Sequence, residues 1–248
     1  MNLYWLEQTE SDGPLDNDWL SAGELLCLRS MRFVKRRSDW RLGRWTAKNA
    51  LAGYLRLSNQ TRELAGIEIR PAPSGAPEVF FGNDRVPITI SLSHRDGIAA
   101  CVVAGAKVLL GCDLEIIEPH SDAFIADYFT EEEQTLLAGP GHKNLLSTLL
   151  WSAKESALKA LGSGLRLDTR SVVVSVSRFS PEFMGWRPVQ VRHTNGQIFH
   201  GWWQQTSKLV RTLVSDPASP PPIYLGRAPS TERTAKTLHP PSVAVFPA

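Results

Sequence analysis

The sequence predicts an α+β fold with mixed or antiparallel sheets. Three observations predict it. Runs rich in β-branched and aromatic residues, such as "SVVVSVS" and "QIFHGWWQQ", recur at strand length between turn residues. Two long stretches carry helical periodicity instead, one ending near Leu57 and one near Leu161. The strands also arrive in consecutive groups rather than singly.

Taken in order, "LYWL" reads as a strand and "DWLSAGELLCL" as the setting of a short helix. Ser38 or Asp39 is expected to cap a helix running to about Leu57. On that helix Arg41, Arg44 and Lys48 are spaced by three and four, so they share one face. Residues 71–87 form a Pro/Gly-rich loop with a short strand at "EVFF". "ISLSH", "IAACVVA" and "VLLGCDLEI" follow as strands, the last two joined by "GAK" as a hairpin turn. Thr130 with Glu133 three residues on is a capping box that starts a helix. "AGPGHK" leads into a helix over about 144–161, ended by Gly162. "SVVVSVS", "PVQVRHT", "QIFHGWWQQ" and "LVRTLVS" read as antiparallel strands. From Ser215 onward eight of the seventeen prolines fall within 34 residues, which predicts an extended tail on the surface. No internal sequence repeat is visible.

The chain has 248 residues, 42% hydrophobic and 21% charged, enough to bury one large core or two smaller ones. It holds no apolar run of about 20 residues, so no membrane span is expected. The first residues lack the charged and apolar regions of a signal peptide. The three cysteines, Cys27, Cys101 and Cys112, have no CxxC spacing, which points away from disulfides and zinc and toward a cytoplasmic location. Net charge is only +2 but uneven. Residues 29–48 carry eight basic side chains against Asp39, and residues 111–133 carry eight acids and no Lys or Arg. That asymmetry suits a polyanion bound with a metal ion; the alternative is two solvated faces.

Chemistry concentrates in three places. On a strand, Asp113 and Glu115 point to the same side. Paired carboxylates need a cation, and a hard ion such as Mg²⁺ suits them. Glu155 could add a third carboxylate, with Lys159 one helical turn on beside a phosphate. Taken alone, Glu155 and Lys159 read as an i,i+4 surface pair worth only about 0.3–0.5 kcal/mol. Ser93–His94 could be half of a hydrolase pair, although no G-x-S-x-G elbow surrounds either serine, or could bind phosphate. Arg44 is a second candidate for phosphate, since guanidinium forks match its oxygens.

"SLSH", "GCDLE" and "WSAKESALKALG" occur in that order. The ordered set resembles the 4′-phosphopantetheinyl transferases, in their long, Sfp-type branch, with pattern G-x-D-x-E followed by W-[ST]-x-K-E-x-x-x-K. Asp113, Glu115, Trp151, Lys154, Glu155 and Lys159 match it, and the resemblance covers about residues 30–165. It implies two similar α/β halves in one chain with pseudo-twofold symmetry, residues 1–106 and 107–214, with residues 215–248 as the Pro-rich tail. It implies transfer of 4′-phosphopantetheine from coenzyme A to a serine of an acyl or peptidyl carrier protein, releasing adenosine 3′,5′-bisphosphate, as holo-[acyl-carrier-protein] synthases do. Such carriers belong to fatty-acid, polyketide and nonribosomal-peptide synthesis. By the same resemblance Asp113, Glu115 and Glu155 hold Mg²⁺, for which Mn²⁺ can substitute. Arg36 (or Arg37), Arg44, Ser93, His94, Lys154 and Lys159 contact coenzyme A, and Glu155, Lys159 and His94 carry the catalysis. Many relatives carry a basic residue at the G-x-P loop; here Ser74 and Ala76 stand there, with Arg70 as a replacement to test. The expected protein is a monomer without nucleic-acid or membrane partners. The alternatives are a Mg²⁺-dependent phosphoesterase or nuclease and a non-enzymatic phosphate or nucleic-acid binding module.

Overall fold

A computed structural model describes residues 1–58, 60–176, 185–206 and 208–226. The chain begins with β1 (Tyr4–Thr9), α1 (Ala22–Ser30), α2 (Val34–Leu55) and α3 (Thr61–Ala65). A hairpin region follows, β2 (Ile67–Pro71), β3 (Pro77–Phe81) and β4 (Asp84–Arg85), then β5 (Ile88–Arg95) and β6 (Ile98–Gly105). The second half holds β7 (Leu109–Ile116), α4 (Asp122–Tyr128), α5 (Glu131–Leu137) and α6 (Lys143–Ala160). It continues through β8 (Val172–Val176), β9 (Arg187–His193), β10 (Ile198–Gln205) and β11 (Leu209–Asp216), and β12 (Ile223–Tyr224) comes last.

The two halves share a topology. In the first, the order β1-β6-β5 is antiparallel throughout; in the second, β7-β11-β10 repeats it. In each half the leading strand pairs with the last strand of that half's second hairpin, and a long helix lies between them in sequence. The α+β class and the similarity of the halves are thus properties of this chain's own structure.

A buried ion pair occurs twice in the same setting. Ser21 caps α1 in a capping box with Glu24, and Thr130 caps α5 in a capping box with Glu133. Each of these glutamates reaches a buried lysine of the long helix, Glu24 to Lys48 at 2.5 Å and Glu133 to Lys154 at 2.8 Å. Each also accepts a backbone N–H from the strand that follows the helix, Ile69 for Glu24 and Val174 for Glu133. Lys48 lies 5.7 Å from the ring centroid of Trp19, and Lys154 lies 5.7 Å from that of Phe129. Buried charges survive only when paired and hydrogen-bonded, so each device ties three elements together.

The halves meet through an apolar layer of Leu3, Val102, Val108, Leu110 and Leu213, flanked by Trp5, Trp186 and Trp202. Arg211 of β11 forks onto both carboxylate oxygens of Glu7 on β1 at 2.5 Å. This interface holds the facing edges of the two halves in fixed relation.

Several expectations are corrected. "GAK" is not a hairpin turn: both edges of β6 are taken by β1 and β5, and β7 pairs with β11. The turn, with Lys107 at φ +63°, instead carries the chain between sheets. α2 begins at Val34, earlier than a cap at Ser38 or Asp39, because the Phe33 carbonyl already accepts from Arg37 N. The basic face of α2 is largely internal. Lys48 is buried with Glu24, and Arg41 is spent on Asn17 and on the carbonyls of Pro14, Leu15 and Asp16. The chain after 214 does not start as a tail: Ser215 and Asp216 complete β11, and β12 pairs in parallel with β1. Residues 227–248 of the expected tail lie outside the described residues. No helix among the described residues is long and apolar enough to cross a membrane.

Candidate active site

The site is built where β7 lies against α6. Gly111 makes the approach attainable, since a Cβ there would fall 1.7 Å from the Ser156 carbonyl oxygen. Only glycine fits that contact. Two and four residues on, the same face of β7 presents Asp113 and Glu115, and α6 presents Glu155 one turn after Trp151 and one turn before Lys159. The three carboxylates each place an oxygen within 4.8 Å of the others.

Their neighbours distinguish them. Asp113 is buried, and its Oδ1 accepts from Ser93 Oγ at 2.8 Å and from Lys159 Nζ at 2.7 Å. Its Oδ2 is buried without a hydrogen-bond partner among the described residues. Such an atom is costly unless something positive meets it. Glu115 accepts from the Trp151 indole at 3.3 Å and lies 3.3 Å from Arg95 Nε. Among the described residues Glu155 has only the longer Lys159 contact, 3.9 Å. Burial first, then Asp113 and Glu115, push the Glu155 carboxyl up to about 7, against the opposing pull of Lys159 and Arg95. Burial and Asp113 raise Glu115 as well, against Arg95 and the Trp151 hydrogen bond. Lys159 also donates to the Cys112 carbonyl at 3.0 Å. Burial works to lower its pKa, yet it ends raised because Asp113, Cys112 and Glu155 hold the proton.

This excess of carboxylate with an unsatisfied oxygen fits a divalent cation. Lys159 is also the boundary with a cleft of about 610 Å³ between the halves. The cleft is walled by the 71–78 turn, by β5 from Ile88 to Leu92, by Leu110 and by the loop after α6, with Arg44 at its N-terminal side. Arg44 lies 4.8 Å from the Trp40 ring centroid, with Nε 3.6 Å from Glu24.

Not all expected residues come together. Asp113, Glu115, Glu155, Lys159 and Ser93 do. Lys154 does not: it is fully buried on the far side of α6, paired with Glu133 and donating to the Thr169 and Val172 carbonyls. It cannot contact a ligand phosphate from there. Alternation along β5 sends Ser93 toward Asp113 and His94 the other way, half-exposed with Nε2 4.0 Å from Asp39 of α2. Ser93 and His94 are therefore not a hydrolase pair, and His94 is not among the groups around Glu155. Arg36 and Arg37 are exposed at the start of α2, and neither lines the cleft. Arg70 is turned away, held by Glu68 and the Gly82 carbonyl over the Phe80 ring. Arg95, on Glu115 and Glu118, went unrecognised in the sequence. Its signal was there: Ser91, Ser93 and Arg95 share one face of β5.

Residues 109–212, which contain all three carboxylates and Lys159, match the family model of the 4′-phosphopantetheinyl transferase superfamily. This segment belongs to that superfamily. Outside it lie Arg44 and Ser93, which reach the site from the first half. The 4′-phosphopantetheinyl transferase gsp of Aneurinibacillus migulanus is 27% identical over 145 residues, covering 57% of this chain and 56% of its own length. The alignment thus spans about half the length of that curated relative. A crystal structure of Helicobacter pylori holo-[acyl-carrier-protein] synthase in complex with coenzyme A aligns at 17% identity, with a TM-score of 0.33, over 42% of this chain and 99% of that one.

Proposed function

We propose that the protein transfers 4′-phosphopantetheine from coenzyme A to a carrier-protein serine, with Mg²⁺ held by Asp113, Glu115 and Glu155. The observation that carries the reading is the convergence of these carboxylates, with one buried oxygen unpartnered, beside Lys159 at the edge of a cleft large enough for a nucleotide. The superfamily match over the same residues supports it.

The chemistry breaks the bond between the bridging pyrophosphate oxygen and the phosphorus that bears pantetheine. That phosphorus bonds to the serine oxygen, the serine proton leaves, and adenosine 3′,5′-bisphosphate departs. Phosphoryl-type transfer needs alignment and neutralisation of charge more than covalent help. The bound cation would supply that neutralisation at the pyrophosphate. Glu155, at the cation site and one helical turn from Lys159, is placed to take the serine proton as general base. Lys159, fixed by Asp113 and the Cys112 carbonyl, places positive charge where the leaving phosphate gains negative charge. Arg44 offers a guanidinium to the nucleotide phosphates from the opposite wall. We assign the chain to the long, Sfp-type branch, because both of its halves contribute to the cleft.

The test is the appearance of adenosine 3′,5′-bisphosphate from coenzyme A and Mg²⁺, followed by chromatography. Release that requires an apo carrier supports transfer. Release at the same rate without any carrier would mark a phosphoesterase and refute it.

A further inference from the structure

The cleft is lined by four cations, Arg44, Arg85, Lys159 and Arg166. Three have an acidic neighbour. Lys159 has Asp113, Arg44 has Glu24 at 3.6 Å, and Arg85 has Glu78 at 2.9 Å. Arg166 has no carboxylate within salt-bridge distance among the described residues. It lies in the loop just past α6, and its partners are all carbonyls. Nε donates to Ser163 O at 3.0 Å, and Nη2 donates to Gly162 O at 3.0 Å and to Ser74 O at 2.5 Å. Ser74 belongs to the other half, so this guanidinium bridges the two walls of the cleft.

Two glycines in left-handed conformation, Gly162 at φ +68° and Gly164 at φ +52°, turn the chain back after α6 so that Arg166 reaches across. A Cβ at Gly162 would lie 3.9 Å from Ser74 Oγ, which shows how closely the loop abuts the turn. Three carbonyls fix the fork without neutralising it, and Nη1 makes no hydrogen bond to the described residues. A guanidinium held in place with its charge uncompensated, on the wall of a cleft, is pre-organised for an anion.

We propose that Arg166 is a ligand-binding residue that receives a phosphate oxygen of the nucleotide in the cleft, from the opposite half to the Ser74 turn it braces. This rests on the reading of the cleft as a coenzyme A site. It assigns to Arg166, rather than to Arg70, the positive charge that the Ser74–Ala76 turn does not itself carry.

The experiment is calorimetric titration of the full chain with coenzyme A and with adenosine 3′,5′-bisphosphate. Wild type is compared with Arg166→Gln, which keeps an amide donor but no charge, and with Arg166→Lys, which keeps the charge. Arg166→Gln should weaken both ligands about tenfold or more, as loss of a charge-assisted contact does. Arg166→Lys should retain more affinity than Arg166→Gln. The wild-type advantage should shrink between about 0.05 M and 0.5 M salt as screening shortens. Arg166→Gln within about twofold of wild type at low salt would overturn the proposal. So would a loss that salt does not change, since that would mark a displaced Ser74 turn. A wild-type protein that binds neither ligand overturns the transferase reading together with this one; binding by wild type with an indifferent Arg166→Gln overturns this one alone.

Discussion

Lys154→Met should destabilise the second half without weakening ligand binding by the protein that remains folded. Lys154 is fully buried, 2.8 Å from a Glu133 that is itself almost fully buried, and it donates to the Thr169 and Val172 carbonyls at 3.0 and 2.6 Å. Methionine fills much the same volume but leaves the Glu133 charge and two carbonyls without this donor. Breaking a buried pair from one side costs about 3–5 kcal/mol. Against a total stability of about 5–15 kcal/mol, that is a large share. For a chain of this size it corresponds to a fall in Tm of about 6–20 °C. The assay is chemical and thermal unfolding followed by two independent probes, with coenzyme A affinity measured where the variant is still folded. The double variant Glu133→Gln/Lys154→Met should lose less than the two single changes together, because no charge is then left buried alone. A Lys154→Met protein as stable as wild type but with tenfold weaker coenzyme A binding would refute the placement and return Lys154 to the cleft.

Lys48→Met should do the same to the first half, by a similar amount, because Glu24 and Lys48 repeat the device; unfolding midpoints check it. Gly111→Ala should cost about 3 kcal/mol or more by forcing β7 from α6, read as lost stability and weakened metal binding together. Glu155 is raised from 4.5 to about 7, so the folded state binds that proton more tightly than the unfolded state. Without divalent cations its contribution to stability should be complete below about pH 4.5 and be lost as pH rises through 7, a slope absent from Glu155→Gln melts. Arg44→Ala should weaken coenzyme A by about tenfold in titration, whereas Arg36→Ala should change it less than about twofold.

Much of the candidate site was legible because it rests on short-range rules. Alternation on β7 puts Asp113 and Glu115 together, and one helical turn puts Glu155 beside Lys159. The same alternation, carried through "SLSHR", separates Ser93 from His94 and groups Ser93 with Arg95. Lys154 misled because adjacency to Glu155 in sequence is a rotation of about 100° on a helix, enough to turn it from cleft to core. The repeated fold left a short trace in the sequence that reads as a repeat only once the structure is known: each device joins an [ST]-x-x-E capping box, Ser21–Glu24 or Thr130–Glu133, to the lysine of a W-[ST]-A-K run, "WTAK" ending at Lys48 or "WSAK" ending at Lys154. The spacings from box to run differ, and the flanking aromatic is Trp19 in one half and Phe129 in the other. The β6–β7 connection misled for a related reason: a tight turn fixes chain reversal, but pairing is decided by which strand edges are already occupied.

The central claim is tested most directly by the intact mass of an apo carrier protein after incubation with this protein, coenzyme A and Mg²⁺. The account predicts a gain of one phosphopantetheine on the carrier, lost with Asp113→Asn and lost when the cation is chelated. A carrier left at its apo mass by folded protein that binds coenzyme A, across acyl and peptidyl carriers alike, would contradict it.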